Sequence, residues 1–405
     1  MGKWEMVRLS DIVDQAITGE WGTECIDGEV GTKVLRTTNF TNSGVINYDN
    51  VVVRDIPTNK VKKKKLKKND IILEKSGGSD NQPVGRVVFF ENEPSEVFLC
   101  NNFTQVLRIE PSIAFSRYVF LYLFRLHQNG TTELLQNKTT GIRNLQIKQY
   151  MALDIPLPPL EVQRQIADVL DRASALIEKR KAQIEKLDLL IKSQFIEMFG
   201  DPVTNPMGWE SKRLGDIFDI GSSKRVYQNE QTTSGVPFYR ISDLVKHIES
   251  SPRSSELFIS DEQYDNFKAK RLVPKSGDIL VTSRGTLGQC YIINDSDRFY
   301  FQDGMISWLK KGKTKVASIY ITYLFMMSGF RKQIDEAPAG STVNYLSIDR
   351  LEKLITMYPD YALQNNFAAF VERVEAQKFL LQKSLTKLEL NYKSLMQKCF
   401  SEDVF

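Results

Sequence analysis

The feature that most constrains the fold is an internal duplication within the chain's 405 residues. At an offset of 201 residues, Leu145 aligns with Leu346, Pro158 with Pro359 and Gln163 with Gln364. The front parts align at slightly larger offsets, 205 near Trp4 and 208 near Lys67, so the copies differ by small insertions and deletions of the kind that loops tolerate. The repeat is far longer than a solenoid unit, and it predicts two copies of one module.

Each copy is predicted to be a mixed domain followed by one long helix. The stretches 160–199 and 362–405 contain neither Gly nor Pro, whereas the front halves hold short apolar runs such as residues 71–73 and 278–281 bounded by polar turns. The predicted fold class is α+β, with two tandem mixed domains, each followed by a helix. The predicted boundaries are 1–155 and 201–357 for the mixed domains, and 156–200 and 358–405 for the helical regions.

The two helical stretches carry apolar residues at a spacing of about 3.5 residues, which is the period of a coiled coil. The predicted seam is formed by Ile166, Leu170, Ile177, Ile184, Leu187, Ile191, Val374, Leu381, Leu388 and Leu395. Because the seams match in length, we expect them to pair within the chain as an antiparallel coiled coil of roughly 55–60 Å with pseudo-twofold symmetry. Dimerisation with another chain through the same seam is the alternative.

Bulk properties exclude several classes of protein. The net charge is +4, which is too small to indicate a nucleic-acid binder by itself. No apolar run approaches the ~20 residues of a membrane span, and the first residues lack the apolar core of a signal peptide, so a cytoplasmic protein is expected. The four cysteines are far apart without a CxxC, which favours reduced thiols over a zinc site or disulfides.

A basic segment precedes a predicted strand in both copies. Seven lysines lie between Lys60 and Lys68, and the second copy has Lys268, Lys270, Arg271 and Lys275 at an offset of 208. A charge run is usually a solvated surface, but its recurrence favours contact with DNA phosphates, which lysine makes without reading sequence.

Three further polar sets recur in both copies and could read base edges, because Arg suits guanine and Asn suits adenine. Tight turns are the alternative interpretation. With the basic segments, the candidate DNA-binding residues of the first copy are Arg36, Asn39, Lys62, Lys63, Lys64, Lys65, Lys67, Lys75, Ser76, Gly77, Thr140 and Arg143. Those of the second copy are Arg240, Ser242, Lys270, Arg271, Lys275, Ser283, Arg284, Gly285, Thr286, Thr342 and Asn344.

Motifs of common enzymes are missing from the sequence. It contains no GxxxxGK[ST], HExxH or GxSxG, no GxGxxG opening a helix, and no Asn-Pro-Pro-aromatic site of base methylation. The sequence therefore predicts a non-catalytic chain, with no catalytic residue and no bound metal.

The chain resembles the specificity (S) subunit of type I restriction-modification systems over essentially its whole length. The resemblance is carried by residues 155–167 (IPLPPLEVQRQIA), by Trp4 and Glu5 with Arg8 and Leu9, and by the strands that begin at Asp70 and Asp278. The second helix start departs from the pattern, because residues 358–366 (YPDYALQNN) keep Gln364 but lack the second Pro and the Glu.

The resemblance implies a function as well as a fold. Each mixed domain would be a target recognition domain that reads one half of a bipartite double-stranded DNA target, and the helices would set the gap between half-sites. Two methylation (M) subunits and two restriction (R) subunits would be partners. S-adenosylmethionine in M, and ATP and Mg²⁺ in R, would be the cofactors, with none on this chain.

Two other functions are compatible with the same residues. A stand-alone two-headed DNA-binding protein would bind its site tightly without partner subunits. A coiled-coil scaffold for two protein partners would show no salt-dependent affinity for DNA.

Overall fold

The computed structural model describes residues 4–25, 31–91, 96–139, 142–249, 255–336 and 345–400. The chain divides into two compact units. Unit 1 consists of Met1–Arg180 and Ser384–Phe405, and unit 2 of Lys181–Lys383. Each long helix therefore contributes one part to each unit.

The first copy contains both strands and helices ahead of its long helix. Its strands are β1 (Glu5–Arg8), β2 (Val13–Thr18), β3 (Thr32–Leu35), β4 (Val52–Arg54), β5 (Asp70–Glu74), β6 (Ser76–Gly78), β7 (Val87–Phe90), β8 (Phe98–Cys100), β9 (Thr104–Ile109), β10 (Gln136–Thr139), β11 (Ile142–Leu145) and β12 (Asp154–Leu157). Its helices are α1 (Leu9–Ile12), α2 (Thr58–Lys64), α3 (Ser116–Gln128), α4 (Ile147–Met151) and α5 (Leu160–Phe199), with 3₁₀ turns at Thr37–Asn39 and Thr131–Leu135.

The second copy repeats this order with changes in its loops. Its strands are β13 (Glu210–Arg213), β14 (Asp219–Gly221), β15 (Gln231–Thr232), β16 (Val236–Tyr239), β17 (Phe258–Ile259), β18 (Ile279–Thr282), β19 (Cys290–Ile292), β20 (Tyr300–Phe301), β21 (Ile306–Lys310) and β22 (Ile355–Tyr358). Its helices are α6 (Leu214–Ile217), α7 (Ile241–Glu249), α8 (Asp261–Ala269), α9 (Ser318–Met326), α10 (Ser328–Asp335), α11 (Ile348–Lys353) and α12 (Tyr361–Cys399), with a 3₁₀ turn at Gln228–Glu230.

Both copies are built on a four-stranded antiparallel sheet of the same connectivity. The order is β2-β9-β5-β7 in the first copy and β14-β21-β18-β19 in the second. A second sheet in each copy contains one parallel pair, β3 with β8 and β16 with β20. A short ribbon then joins the front of each copy to the strand before its long helix, β1 with β12 and β13 with β22. The mixed α+β domain predicted for each copy is confirmed.

The strand after the basic segment starts in the same way in both copies. Asn69 and Gly277 both have a positive φ, 71° and 84°. The buried carboxylates of Asp70 and Asp278 accept the backbone N–H groups of Lys67 and Lys275 at 2.7 and 2.9 Å. Asn and Gly are the residues that adopt the left-handed region at least cost, which explains why the first copy has Asn and the second has Gly at this position.

In unit 1 the beginning of α5 packs against the end of α12. Ile166 and Leu170 share a buried core with Met396, Cys399 and Phe400. Phe400 also contacts the rings of Tyr118 and Tyr122 on α3, with centroids 5.3 and 5.2 Å apart, so the helix ends belong to the core of the mixed domain.

In unit 2 the end of α5 packs against the beginning of α12 by the equivalent residues. Ile191, Phe195 and Phe199 share a buried core with Phe367 and Val371. The antiparallel pairing of the two helices, predicted from the seam, is therefore present in each unit. Beyond this core, the two helices are joined by an ion pair, with Lys378 Nζ on α12 lying 2.5 Å from Asp188 Oδ1 on α5.

All of the predicted seam residues are buried or half-buried. The buried apolar face of the helices is also wider than the predicted seam. Buried seam residues are Ile166, Leu170, Ile177, Ile191 and Val374, and half-buried ones are Ile184, Leu187, Leu381, Leu388 and Leu395.

At the end of α5, the fully buried residues are Phe195 and Phe199, which the predicted seam does not include. Met396 and Phe400 are their counterparts in the second copy. Because these helix ends pack into globular cores, they present the broader face of a helix with a 3.6-residue period.

Candidate nucleic-acid interface

Three segments distant in sequence meet at the end of β5. The backbone N–H of Lys75 donates to the carbonyl of Phe103 at 2.9 Å, and Leu145 N–H donates to the carbonyl of Lys75 at 2.8 Å. In addition, β6 pairs with β11, with Ser76 opposite Asn144. Two of the polar sets recognised in the sequence, separated by about seventy residues, thus lie side by side.

The same junction occurs in unit 2 at the end of β18. Ser283 N–H donates to the carbonyl of Met305 at 2.9 Å, and Leu346 N–H donates to the carbonyl of Ser283 at 3.0 Å. We call this feature the three-segment edge. It consists of residues 75–78, 101–104 and 142–145 in unit 1, and residues 283–286, 302–305 and 345–346 in unit 2.

The edge of unit 1 carries a small network of polar side chains. The hydroxyl of Ser76 lies 2.5 Å from Asn144 Oδ1. The guanidinium of Arg143 contacts Asp80 Oδ1 at 2.6 Å. Gly77 is exposed and has φ +96°, a backbone conformation that would be strained for a residue with a side chain. Amide, hydroxyl and guanidinium groups held in this way can donate to and accept from base edges.

Lys75 joins this edge to the basic segment. Its side chain is half-buried, and burial lowers the pKa of its ammonium group. Among the smaller causes, a nearby Cys100 thiolate would raise this pKa and the charge of Lys64 lowers it further. Lys64 is the last residue of α2, so this end of the helix carries positive charge on the side of Lys75.

In unit 2 the edge is built on the same backbone but with different side chains. Arg284, Gly285 and Thr286 are exposed, and Gly285 has φ +70°. Ser283 is buried, and its hydroxyl lies 2.8 Å from that of Ser307. Ser283 therefore supports the edge from inside, whereas Arg284 presents a cation outward.

The lysines of the basic segment fall into two groups. Lys64 and Lys60 contact the carboxylate of Glu20 at 2.8 and 3.1 Å. Hydrogen bonds from these two ammonium groups, that from Lys64 being the larger cause, lower the pKa of Glu20. The second group is exposed, with no side-chain partner among the described residues, and consists of Lys62, Lys63, Lys65, Lys67 and Lys68. This second group is free to contact phosphates.

Unit 2 has a sparser counterpart. Lys270 and Arg271 follow the end of α8, and Arg271 has φ +58°. Both side chains are exposed, as is that of Lys275. With Lys268, which is also exposed, unit 2 has four exposed cations here, against the five exposed lysines of unit 1.

The remaining polar set lies at a 3₁₀ turn after Arg36 in unit 1 and at the start of α7 after Arg240 in unit 2. The amide of Asn39 is buried, accepts Arg36 N–H at 2.9 Å and donates to two backbone carbonyls. Asp243 likewise accepts Arg240 N–H at 3.0 Å, and its carboxylate raises the pKa of the Arg240 guanidinium. The buried Asn39 acts within its own loop, whereas Ser242 is exposed.

The predicted candidates and the residues of the edge do not coincide completely. Thr140, Thr342 and Asn344 lie outside the described residues. Phe103 and Met305 belong to the edge but were absent from the candidates. A usable signal was present, because Phe103 and Met305 are apolar residues that directly follow polar turns, and these turns align between the copies.

The described part of the chain contains no group of three or more His, Cys, Asp or Glu residues arranged to hold a metal ion. Over the same residues, no helix combines the length and the apolar character needed to cross a membrane.

Two copies of one mixed domain, each followed by a long helix and each bearing the same edge, define a tandem-module protein with two equivalent sites. The chain belongs to the family of the type I restriction modification DNA specificity domain, whose model matches residues 1–186 and again 206–390.

Several relatives carry matching names. S.HindORF215P of Haemophilus influenzae, whose name assigns it to the type I restriction enzyme specificity subunits, is 26% identical over 63% of this chain and 64% of its own. The MjaIX specificity subunit of Methanocaldococcus jannaschii is 28% identical over 62% and 61%. The chain thus matches under two thirds of the length of these two relatives. The MjaVIII specificity subunit of the same organism is 25% identical over 97% of this chain and 91% of its own.

Solved structures share the fold. The type I restriction-modification S subunit from M. genitalium superposes with a TM-score of 0.55 at 17% identity, over 98% of this chain and 96% of that one. A chain from a structure on complex assembly and conformational transition of the type I R-M system gives 0.58 at 16% identity, over 99% and 98%.

Proposed function

We propose that this chain is a non-catalytic subunit that reads a bipartite DNA sequence, with one half-site contacted by each unit. The observation that carries the proposal is the recurrence of the three-segment edge at the same place in both units, at the end of β5 and at the end of β18. A single edge could be an ordinary turn, but two copies with a common backbone and different side chains suit two different half-sites.

The side chains support a division of labour between affinity and sequence reading. The exposed lysines near Lys63 suit phosphates, which supply affinity without specificity. Arg284 suits the O6 and N7 acceptors of guanine, and the amide of Asn144 suits adenine. Because Asn144 and Arg284 are not equivalent residues, the two half-sites should differ in sequence.

The same proposal assigns partners and the role of the helices. Two M subunits would bind the helical regions, two R subunits would join them, and S-adenosylmethionine, ATP and Mg²⁺ would be bound by those partners. Leu189 and Leu390 occupy equivalent positions on the two long helices, and both are exposed, at 60% and 67%. A recurrent exposed leucine supports two equivalent docking positions. The paired helices would fix the gap between the half-sites.

The deciding experiment is a genome-wide map of N6-methyladenine in cells that express this chain with and without its partner M subunit. The proposal expects a split motif methylated only when both are present. Tight binding to one site by the chain alone would favour a stand-alone DNA-binding protein. A partner complex without salt-dependent DNA affinity would favour a scaffold.

A matched exchange tests the independence of the two units. Replacing residues 1–155 by the corresponding part of another family member should change one half of the motif and leave the other half intact. Altered bases in both halves would contradict reading by separate units.

A further inference from the structure

Phe103 is an exposed aromatic residue at the centre of the edge in unit 1. Its side chain is 45% exposed although it is surrounded by polar residues. Its carbonyl accepts the backbone N–H groups of both Lys75 and Ser76, at 2.9 and 3.2 Å. Lone exposed apolar residues are common on proteins, so the exposure alone indicates little. The position between three polar segments is what distinguishes this one.

The turn that carries Phe103 is held rigidly. Asn101 N–H donates to the carbonyl of Leu35 at 2.9 Å, and both the N–H and the hydroxyl of Thr104 donate to the carbonyl of Asn101, at 3.1 and 2.7 Å. A Cβ atom added to Gly77 would lie 3.6 Å from the ring, so the glycine leaves that side of the ring open. The backbone that carries the ring is thus held in place.

Met305 occupies the equivalent place in unit 2. Its carbonyl accepts Ser283 N–H as that of Phe103 accepts Lys75 N–H, and Gln302 N–H donates to the carbonyl of Tyr239 as Asn101 N–H does to Leu35. The side chain of Met305 is half-buried and lies beside Gly304, which is exposed with φ +70°. Both units therefore place an apolar side chain at this position of the edge, next to the strand that follows.

We propose that Phe103 and Met305 are specificity-determining residues, each contacting the methyl group of a thymine in the half-site read by its own unit. This inference rests on the proposed function and adds to it the base that each apolar residue recognises. In the major groove the thymine C5-methyl is the one apolar feature among the base edges, and apolar side chains recognise it.

The burial of the ring selects this contact over insertion between base pairs. An inserted wedge places its ring between two base pairs and unstacks them. Phe103 is more than half covered, so it presents an edge that can touch a methyl group while Ser76 and Asn144 hydrogen-bond to neighbouring polar atoms.

The test uses the complex of the full chain with its M subunits and duplexes of the mapped target. Each thymine of the first half-site is replaced in turn by uracil, which lacks only the methyl group. At one position the wild-type complex should lose about fourfold in affinity, the effect of removing one buried methyl-sized group. Phe103→Ala should lose the same factor on the thymine duplex and be insensitive to that uracil. Met305→Ala should behave likewise in the second half-site alone.

Matched controls are Ile113→Ala in unit 1 and Met326→Ala in unit 2, which remove exposed apolar side chains away from the edges. Both should bind as wild type does. If no thymine of the first half-site responds to uracil, the inference is overturned, and this result needs no variant to fold. It is also overturned if Phe103→Ala keeps full sensitivity. Absence of any sequence preference in the wild-type complex would instead overturn the proposed function.

Discussion

The side-chain oxygen of Gln163 lies 2.7 Å from the backbone nitrogen of Phe115, and this bond fastens the first turn of α5 to the start of α3. The amide group of Gln163 donates in turn to the carbonyl of Pro158 at 2.8 Å. In unit 2, Gln364 makes the same two bonds, to Ala317 N–H at 2.9 Å and to the carbonyl of Pro359 at 2.8 Å. In each unit a buried glutamine thus helps to attach the mixed domain to its long helix.

Replacing Gln163 should loosen that attachment in unit 1. Gln163→Leu leaves a backbone N–H and a buried carbonyl without partners, which costs about 2–4 kcal/mol in free energy of unfolding. Hydrogen exchange should show lost protection at the start of α3. Gln165→Leu, at an exposed position two residues away, is the control and should change protection little. Equal protection in both variants would contradict the proposed attachment.

Two lysine pairs should differ in their effect on DNA affinity. Lys62 and Lys63 have no partner among the described residues, so Lys62→Ala with Lys63→Ala should reduce the slope of log affinity against log salt by up to roughly 2, about 0.9 per phosphate contact. Lys60→Ala with Lys64→Ala should have a smaller effect, because Glu20 already pairs with them. The measurement is salt titration of DNA binding by the M-bound complex.

Glu20→Gln provides a gain-of-affinity counterpart. The carboxylate is held ionised by its two lysines, which lower its pKa, so its removal frees two positive charges. Affinity for DNA and the salt slope should both rise. Unchanged binding would mean that Lys60 and Lys64 lie away from the phosphates.

Arg284 should set a base preference in the half-site of unit 2. Its side chain is exposed on the edge, and Arg284→Ala should cost about 1–3 kcal/mol of discrimination at one guanine while sparing the other half-site. Arg373→Ala, an exposed arginine on α12, serves as control. The methylated motif of each variant gives the result, and a loss confined to total methylation would argue against base reading.

Stability should fall in moderately alkaline solution. Burial raises the pKa of the Cys100 thiol from 9.0 to about 11, so the unfolded chain loses this proton first. The contribution of this neutral thiol to the free energy of unfolding is therefore fully present below pH 9. About 2–3 kcal/mol is lost as the pH rises to about 11. Denaturant titrations across this range should show a smaller decline for Cys100→Ala than for Cys25→Ala, which leaves Cys100 in place.

The paired helices should determine the gap between half-sites. Seven residues inserted before Asp188 in α5, with seven inserted after Lys378 in α12, keep the seam in phase and leave this ion pair intact. The methylated motif should acquire a longer gap with the same bases. A changed base preference would refute the role of the helices as a spacer.

The sequence by itself determined the repeat, the two long helices and their antiparallel partnership. These features are periodic and local: an apolar stripe, the absence of Gly and Pro, and prolines before the first turn suffice to specify a helix and the face that it buries. The broad family also followed, because the signature around Pro158 and Gln163 is contiguous.

Only the tertiary structure decided which polar residues act together. Hydrogen bonds that join Lys75 to Phe103 and Leu145 connect segments far apart in sequence, and no periodicity encodes such contacts. The structure also separated residues of similar appearance, since Asn39 and Ser283 are buried supports whereas Arg284 is exposed. A side chain's type is written in the sequence, but its exposure and its neighbours arise from the packing of the whole unit.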